Sequence, residues 1–189
     1  MPVPFRYVDS LETKQHILLL YEDPEYARLI EFRFIKNGLA NEENCVYVTG
    51  EDSGLVVLKF LTYGIPLQAF QQGKLRVIQI HQQSGDIDEL SRQTKKHVSM
   101  ILEGLRPPYR IVGRIVPNVE SMDAISVQLD LEKETHARFD EFGGSVMCTY
   151  DVSKIERTRR KAWMKKLYES HHTVIHATEF GQGGVLCPY

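Results

Sequence analysis

Several common functions are excluded by what the chain lacks. No apolar run approaches the length that spans a membrane, and the first residues carry neither the basic start nor the apolar stretch of a secretory signal. A cytoplasmic location and no membrane partner are the resulting expectations. Cysteine is scarce. Three residues, Cys45, Cys148 and Cys187, cannot all pair with one another, and none sits in a CxxC spacing that would point to zinc or a redox couple. Neither sign of charge dominates: a formal net charge of −2 argues against a protein built mainly to bind nucleic acid.

One further absence falls at the most informative place. Residues 14–40, KQHILLLYEDPEYARLIEFRFIKNGLA, read as a buried strand, a tight turn and a helix. His16 to Tyr21 is a short apolar run bounded by polar residues, as expected for a strand covered on both faces. Asp23 is placed to cap the helix, with Pro24 at its first position, where the missing N–H costs nothing. Ala27, Ile30 and Phe34 recur at helical spacing, and Asn37-Gly38 predicts its end. A phosphate-binding loop at this turn would need G-x-x-x-x-G-K-[ST], so that backbone N–H groups and a lysine hold the phosphates. The turn instead reads Tyr21, Glu22, Asp23, Pro24, Glu25. It has no glycine and no lysine, and three carboxylates there repel phosphate. Conventional ATP hydrolysis is therefore not expected, and the plain role of the acids is to cap the helix and suit its dipole.

What remains is a regular alternation. Further strands are predicted over 44–49, 75–81, 110–116, 145–150 and 173–178, and helices over 54–61, 67–71, 87–104, 120–141 and 154–168. Residues 1–13 read as a leader packed along an edge, and the glycine-rich tail from Gly181 reads as irregular. Alternating strands and helices predict an α/β fold: a three-layer sandwich with a mostly parallel central sheet. No linker or repeat interrupts it, so 1–189 is expected to be a single domain with its core over about 14–178.

In open α/β sheets, ligands bind beyond the carboxyl ends of the strands. Tyr21, Glu22, Glu51, His81, Asn118 and Asp151 fall at such ends, with Asp23 and Tyr150 adjoining, and together they are the candidate lining of one pocket. His171, His172 and His176 invite a metal reading, but no carboxylate or cysteine lies at obvious ligand spacing, so a polar edge is expected and no metal. Cys148 with His172 as its base would make a nucleophile. Its mid-strand position favours core packing instead. No catalytic residue and no cofactor are expected. The run 120–141 is acidic and 154–166 is basic; both are expected to be solvated helix faces, or complementary surfaces between subunits.

The His16-x-x-x-x-Tyr21-Glu22 start, the stretch GLANEENCVYVTGED, the strand end Cys148-Thr149-Tyr150-Asp151 and the later His172-Thr173-Val174-Ile175 together resemble the MEDS domain, the methanogen/methylotroph DcmR sensory domain. The resemblance implies a RecA/KaiC-like layout without a working phosphate loop, and a sensory or regulatory role rather than catalysis. It implies a small organic ligand at the carboxyl ends of the strands. Tyr21 and Tyr150 would supply aromatic contact, and Glu22, Asp151 and His172 polar selection. The signal would pass to a separate signalling or transcription protein, or through assembly of a homo-oligomer. Two alternatives stand beside it. One is a nucleotide-binding protein or ATPase with an atypical phosphate site, in which Arg114 replaces the missing lysine. The other is a nucleic-acid or protein interaction module using 154–166.

Overall fold

The computed structural model describes residues 1–12, 14–81, 85–114, 122–155 and 160–187. In chain order these form α1 (Val3–Asp9), β1 (His16–Tyr21), α2 (Pro24–Ala40), β2 (Asn44–Thr49), α3 (Ser53–Thr62), α4 (Leu67–Gln71), β3 (Leu75–Gln79), α5 (Ile87–Leu102), β4 (Tyr109–Arg114), α6 (Met122–Ala137), β5 (Gly144–Asp151), α7 (Arg160–Glu169), β6 (Thr173–Ala177) and β7 (Gly183–Leu186). The strands make one sheet in the order β3-β2-β4-β5-β1-β6-β7. Every pairing is parallel except β6 with β7. The α/β expectation, with helices covering a mostly parallel sheet, is met.

Strand alternation assigns the two faces. Ile17, Leu19 and Tyr21 of β1 pack with Tyr26, Ile30 and Phe34 of α2. Leu18 and Leu20 point the other way, against Ile125 of α6 and Trp163 and Leu167 of α7. All of β1 is buried, so each of its aliphatic side chains stabilises the fold by about 1.5–3 kcal/mol. On the second face, Val46, Val48, Ile111 and Val146 pack with Ile101 of α5.

Four local expectations are corrected. α2 does not stop at Asn37-Gly38 but continues to Ala40, with Asn41 as its C-cap. Gly38 is a packing glycine: a Cβ there would lie 2.6 Å from Cδ of Arg110 and 3.0 Å from Sγ of Cys45. Arg110 is buried at that point, fixed by Glu43 at 2.8 and 3.1 Å and by the Phe34 carbonyl at 3.2 Å. The glycine-rich tail is not irregular but forms β7. Its glycines permit the pairing, since a Cβ at Gly183 would sit 2.0 Å from the His176 carbonyl oxygen. The basic stretch is not one helix. Val152–Lys154 is a 3-10 turn, Ile155 is buried, α7 begins at Arg160, and 156–159 lie outside the described residues. The acidic stretch is likewise shorter, with α6 followed by a 3-10 turn over Phe139–Glu141.

The leader is a docked helix. Asp9 of α1 accepts from Arg33 of α2 at 2.6 and 2.7 Å, and Tyr7 donates to Thr173 of β6 at 2.9 Å.

Gly38→Ala separates two opposed effects. Helix propensity favours alanine by about 1 kcal/mol. Overpacking against Arg110 costs about 1–3 kcal/mol. Because the displaced atom belongs to a buried, doubly paired arginine, the clash wins, and a thermal melt will show a lower Tm than the parent protein.

Candidate ligand site

At the carboxyl ends of the strands several side chains pair with one another, although Nε and Nη1 of Arg28 and Nη2 of Arg114 are buried without a hydrogen-bond partner. Asp23 caps α2, its Oδ1 accepting from the N–H groups of Glu25 and Tyr26 at 2.9 and 3.2 Å. Those are the amides that a phosphate would need. Arg114, at the end of β4, donates to Glu31 at 2.9 Å and to Glu51 at 3.2 Å, and its guanidinium lies 5.1 Å from the centre of the Tyr21 ring. Glu31 is fully buried and also accepts from Tyr47 at 2.6 Å. Glu51 further binds Arg28 and, at 3.0 Å, Lys59. Burial alone would raise the Glu51 carboxyl; the hydrogen bonds from Arg28 and Lys59 outweigh it and hold the group down to about 2. Arg114 thus pairs with two carboxylates through Nε and Nη1, and its Nη2 is buried without a hydrogen-bond partner.

The expected lining is only partly brought together. Tyr21 and Glu51 meet through Arg114. Glu22 is exposed, and Asp151 caps the turn after β5, accepting from the Ser153 N–H at 2.9 Å. His81 lies just beyond β3, four strand positions from Tyr21, a separation of roughly 19 Å at ordinary strand spacing that no small ligand bridges. Asn118 lies outside the described residues. Tyr150 points into the α6 face and is buried. His172 stands at the opposite end of the sheet: its Nδ1 accepts from the N–H of His16, the first residue of β1, at 3.0 Å.

That opposite face holds a cluster the sequence reading did not assemble. His16 from β1, Glu132 from α6, Cys148 from β5 and His171 ahead of β6 bring one nitrogen, oxygen or sulfur each to within 4.8 Å of one another. Oε2 of Glu132 is 3.2 Å from His16 Nε2 and 3.4 Å from His171 Nε2. Oε1 accepts from Tyr150 and, at 2.9 Å, from Gln128. Cys148 Sγ is 3.5 Å from His16 Nε2, so its imidazole neighbour is His16 and not His172. Burial opposes ionisation of Glu132, but the two imidazoles, His171 foremost, hold its carboxyl well below the usual range. Burial lowers His16 to about 4. Burial, and then the Glu132 charge, push the Cys148 thiol and the Tyr150 hydroxyl well up.

Beside the cluster lies a cavity of about 120 Å³. α5 contributes Val98 and Ile101, α6 contributes Leu131, and the sheet contributes Val146. Gln128, Glu132, Cys148 and Tyr150 form a polar wall, and Thr94, His97 and Thr135 add further polar groups. The cavity accounts for the intermediate exposure of Cys148, which otherwise sits in a buried strand.

Glu132 was expected on a solvated acidic face. One signal pointed inward: it lies seven residues after Ile125 and four after Gln128, on the buried stripe of α6. No spacing signal connects it to His16, Cys148 and His171, which are distant in sequence.

The sheet order, the two covered faces and the strand–turn–helix at β1–α2 define a RecA-type α/β domain of the KaiC-like kind. A solved KaiC-like protein from the hyperthermophilic archaeon Pyrococcus horikoshii superposes with a TM-score of 0.58 at 16% identity, over 87% of this chain and 71% of that one. The chain belongs to the MEDS family, the methanogen/methylotroph, DcmR sensory domain, whose sequence profile matches residues 15–166. No curated protein matches the sequence. Among the described residues no helix is long and apolar enough to cross a membrane.

Two stability experiments probe the charge network. Arg114→Met leaves Glu31 buried without its cation and lowers unfolding free energy by about 3–5 kcal/mol in urea titrations, with partial recovery on adding Glu31→Gln. Glu51 has a folded pKa below its unfolded value, so its contribution is present above the ordinary carboxylate pKa of about 4.5 and is lost as pH falls toward 2. Glu51→Gln is therefore destabilising at neutral pH, and the gap to the parent protein closes toward pH 2. The gap is modest, because Glu51 is 37% exposed and solvent screens it.

Proposed function

We propose that this chain is a non-enzymatic sensory domain that recognises a small, mainly apolar organic compound in the cavity between α5, α6 and the sheet. The observation that carries the reading is the cavity itself: a mainly apolar recess with a few polar groups, the usual form of a small-molecule site. Membership of a sensory family supports the role. The volume suits a compound somewhat smaller than benzene, which an engineered cavity of about 150 Å³ accommodates. Gln128, Tyr150 and the Cys148 thiol select a polar substituent, and Glu132 disfavours an anion.

This places the ligand deeper than the carboxyl ends of the strands. There Arg114 already pairs with Glu31 and Glu51, and the first α2 amides already have Asp23. Tyr150 is the member of the expected lining that faces the cavity. Occupancy changes how α5 and α6 sit on the sheet. The output is a separate signalling or transcription protein, or a change in self-association, biased by no more than the compound's preference for one arrangement.

The test is a thermal melt against a panel of short alcohols, amines and halogenated alkanes, with Mg-ATP as a separate arm. A compound present at a hundredfold its Kd stabilises by about 2.7 kcal/mol, and about 2–4 °C of Tm per kcal/mol makes that a shift of several degrees for a chain of this size. Leu131→Trp, which fills the cavity, abolishes the shift. A rise with Mg-ATP alone would instead favour a nucleotide site at the β1–α2 turn.

A further inference from the structure

We propose that His16, Glu132, Cys148 and His171 form a binding site for a divalent metal ion of the zinc class. The donor set is two imidazole nitrogens, one carboxylate oxygen and one thiol sulfur, a combination that suits a borderline-soft ion. The site is built from β1, α6, β5 and the turn before β6 rather than from one loop.

The spacing fits. A tetrahedral ion with ligands about 2.1 Å away has its donors about 3.4 Å from one another. The measured separations are 3.2 Å from His16 to Glu132, 3.4 Å from His171 to Glu132 and 3.5 Å from Cys148 to His16. All four donors lie within 4.8 Å of each other.

The orientation of His171 points the same way. Its Nδ1 is 2.7 Å from the carbonyl oxygen of Leu167, which can only accept, so Nδ1 carries the proton. Nε2 is then the ring nitrogen turned toward the cluster. His171 is only 2% exposed, and this nitrogen makes no hydrogen bond. It faces Glu132 Oε2 across 3.4 Å, the separation of two ligands on one tetrahedral ion. The outer contacts also resemble those that orient metal ligands: a backbone carbonyl holds one imidazole, and Tyr150 and Gln128 hold the far oxygen of the carboxylate, leaving Oε2 to the cluster. Binding displaces the Cys148 proton to solvent. The resulting thiolate and the Glu132 carboxylate together neutralise a 2+ ion, so the buried centre carries no net charge. Glu132 and Cys148 both border the α5–α6 cavity, which gives the ion a route inward. The claim does not require that the cavity also hold an organic compound.

The experiment uses the full chain without a polyhistidine tag, stripped with a chelator and titrated with cobalt(II). The expected result is one cobalt per chain, with a thiolate-to-cobalt charge-transfer band that is removed by one equivalent of zinc. The band disappears in Cys148→Ser and persists in Cys187→Ser, which alters the exposed cysteine. X-ray absorption at the zinc edge of the unsubstituted protein reads the shell directly, whether or not the variants fold, and is expected to give one sulfur and two imidazoles. Substoichiometric binding, a band that follows Cys187, or a shell without sulfur would each overturn the site. A compound-induced melting shift that persists in the stripped protein would leave the sensory reading standing while the metal site is judged on these results alone.

Discussion

The buried carboxylate of Glu132 is the constraint on which the α5–α7 side of the sheet depends. An ionised group withdrawn from water costs several kcal/mol unless its oxygens are met. Here Oε1 is met by Tyr150 and Gln128, while Oε2 faces His16 and His171. Those partners come from β5, α6 itself, β1 and the turn before β6. The position of α6 over the sheet is therefore set by directional polar contacts as well as by packing, and the cavity lies beside it, where α5 and α6 approach β2, β4 and β5. On the proposed reading, a compound entering that mainly apolar space touches the same helix that the carboxylate positions.

The other face is organised by a separate network. Arg114 joins Glu31, Glu51 and the Tyr21 ring across the carboxyl ends of the strands, and Asp23 takes the first amides of α2. These are the places where an open α/β sheet ordinarily takes its ligand. Internal pairs occupy part of that position, with Nη2 of Arg114 and Nε and Nη1 of Arg28 buried beside them without hydrogen-bond partners. Recognition then falls to the interior of the opposite layer, on the reading proposed above.

Much of the architecture was legible because it is written locally. The apolar run of β1, the Asp23-Pro24 helix start and the alternation of strands with helices each need only a few neighbouring residues. The errors have non-local causes. Gly38 looks like a helix end until Arg110, far along the chain, packs against it. Gly183 and Gly184 look like an irregular tail until β6 supplies a partner strand. The site was the least legible part. His16, Glu132, Cys148 and His171 come from three elements and a turn, and the histidines that drew attention by their spacing, His172 and His176, do not join them. The register could have hinted at half of it: Leu18 pairs with Cys148 and His16 with Val146, so His16 and Cys148 share one face of adjacent strands. Placing Glu132 over that face needs the packing of α6, which no short-range pattern contains.

The most direct test of an interior ligand site is a crystal of the protein under xenon pressure, because xenon reports apolar cavities without knowledge of the natural compound. Xenon density against Val98, Ile101, Leu131 and Val146, with none at the turn from Tyr21 to Glu25, is the predicted result. Absence of xenon between α5, α6 and the sheet would contradict it.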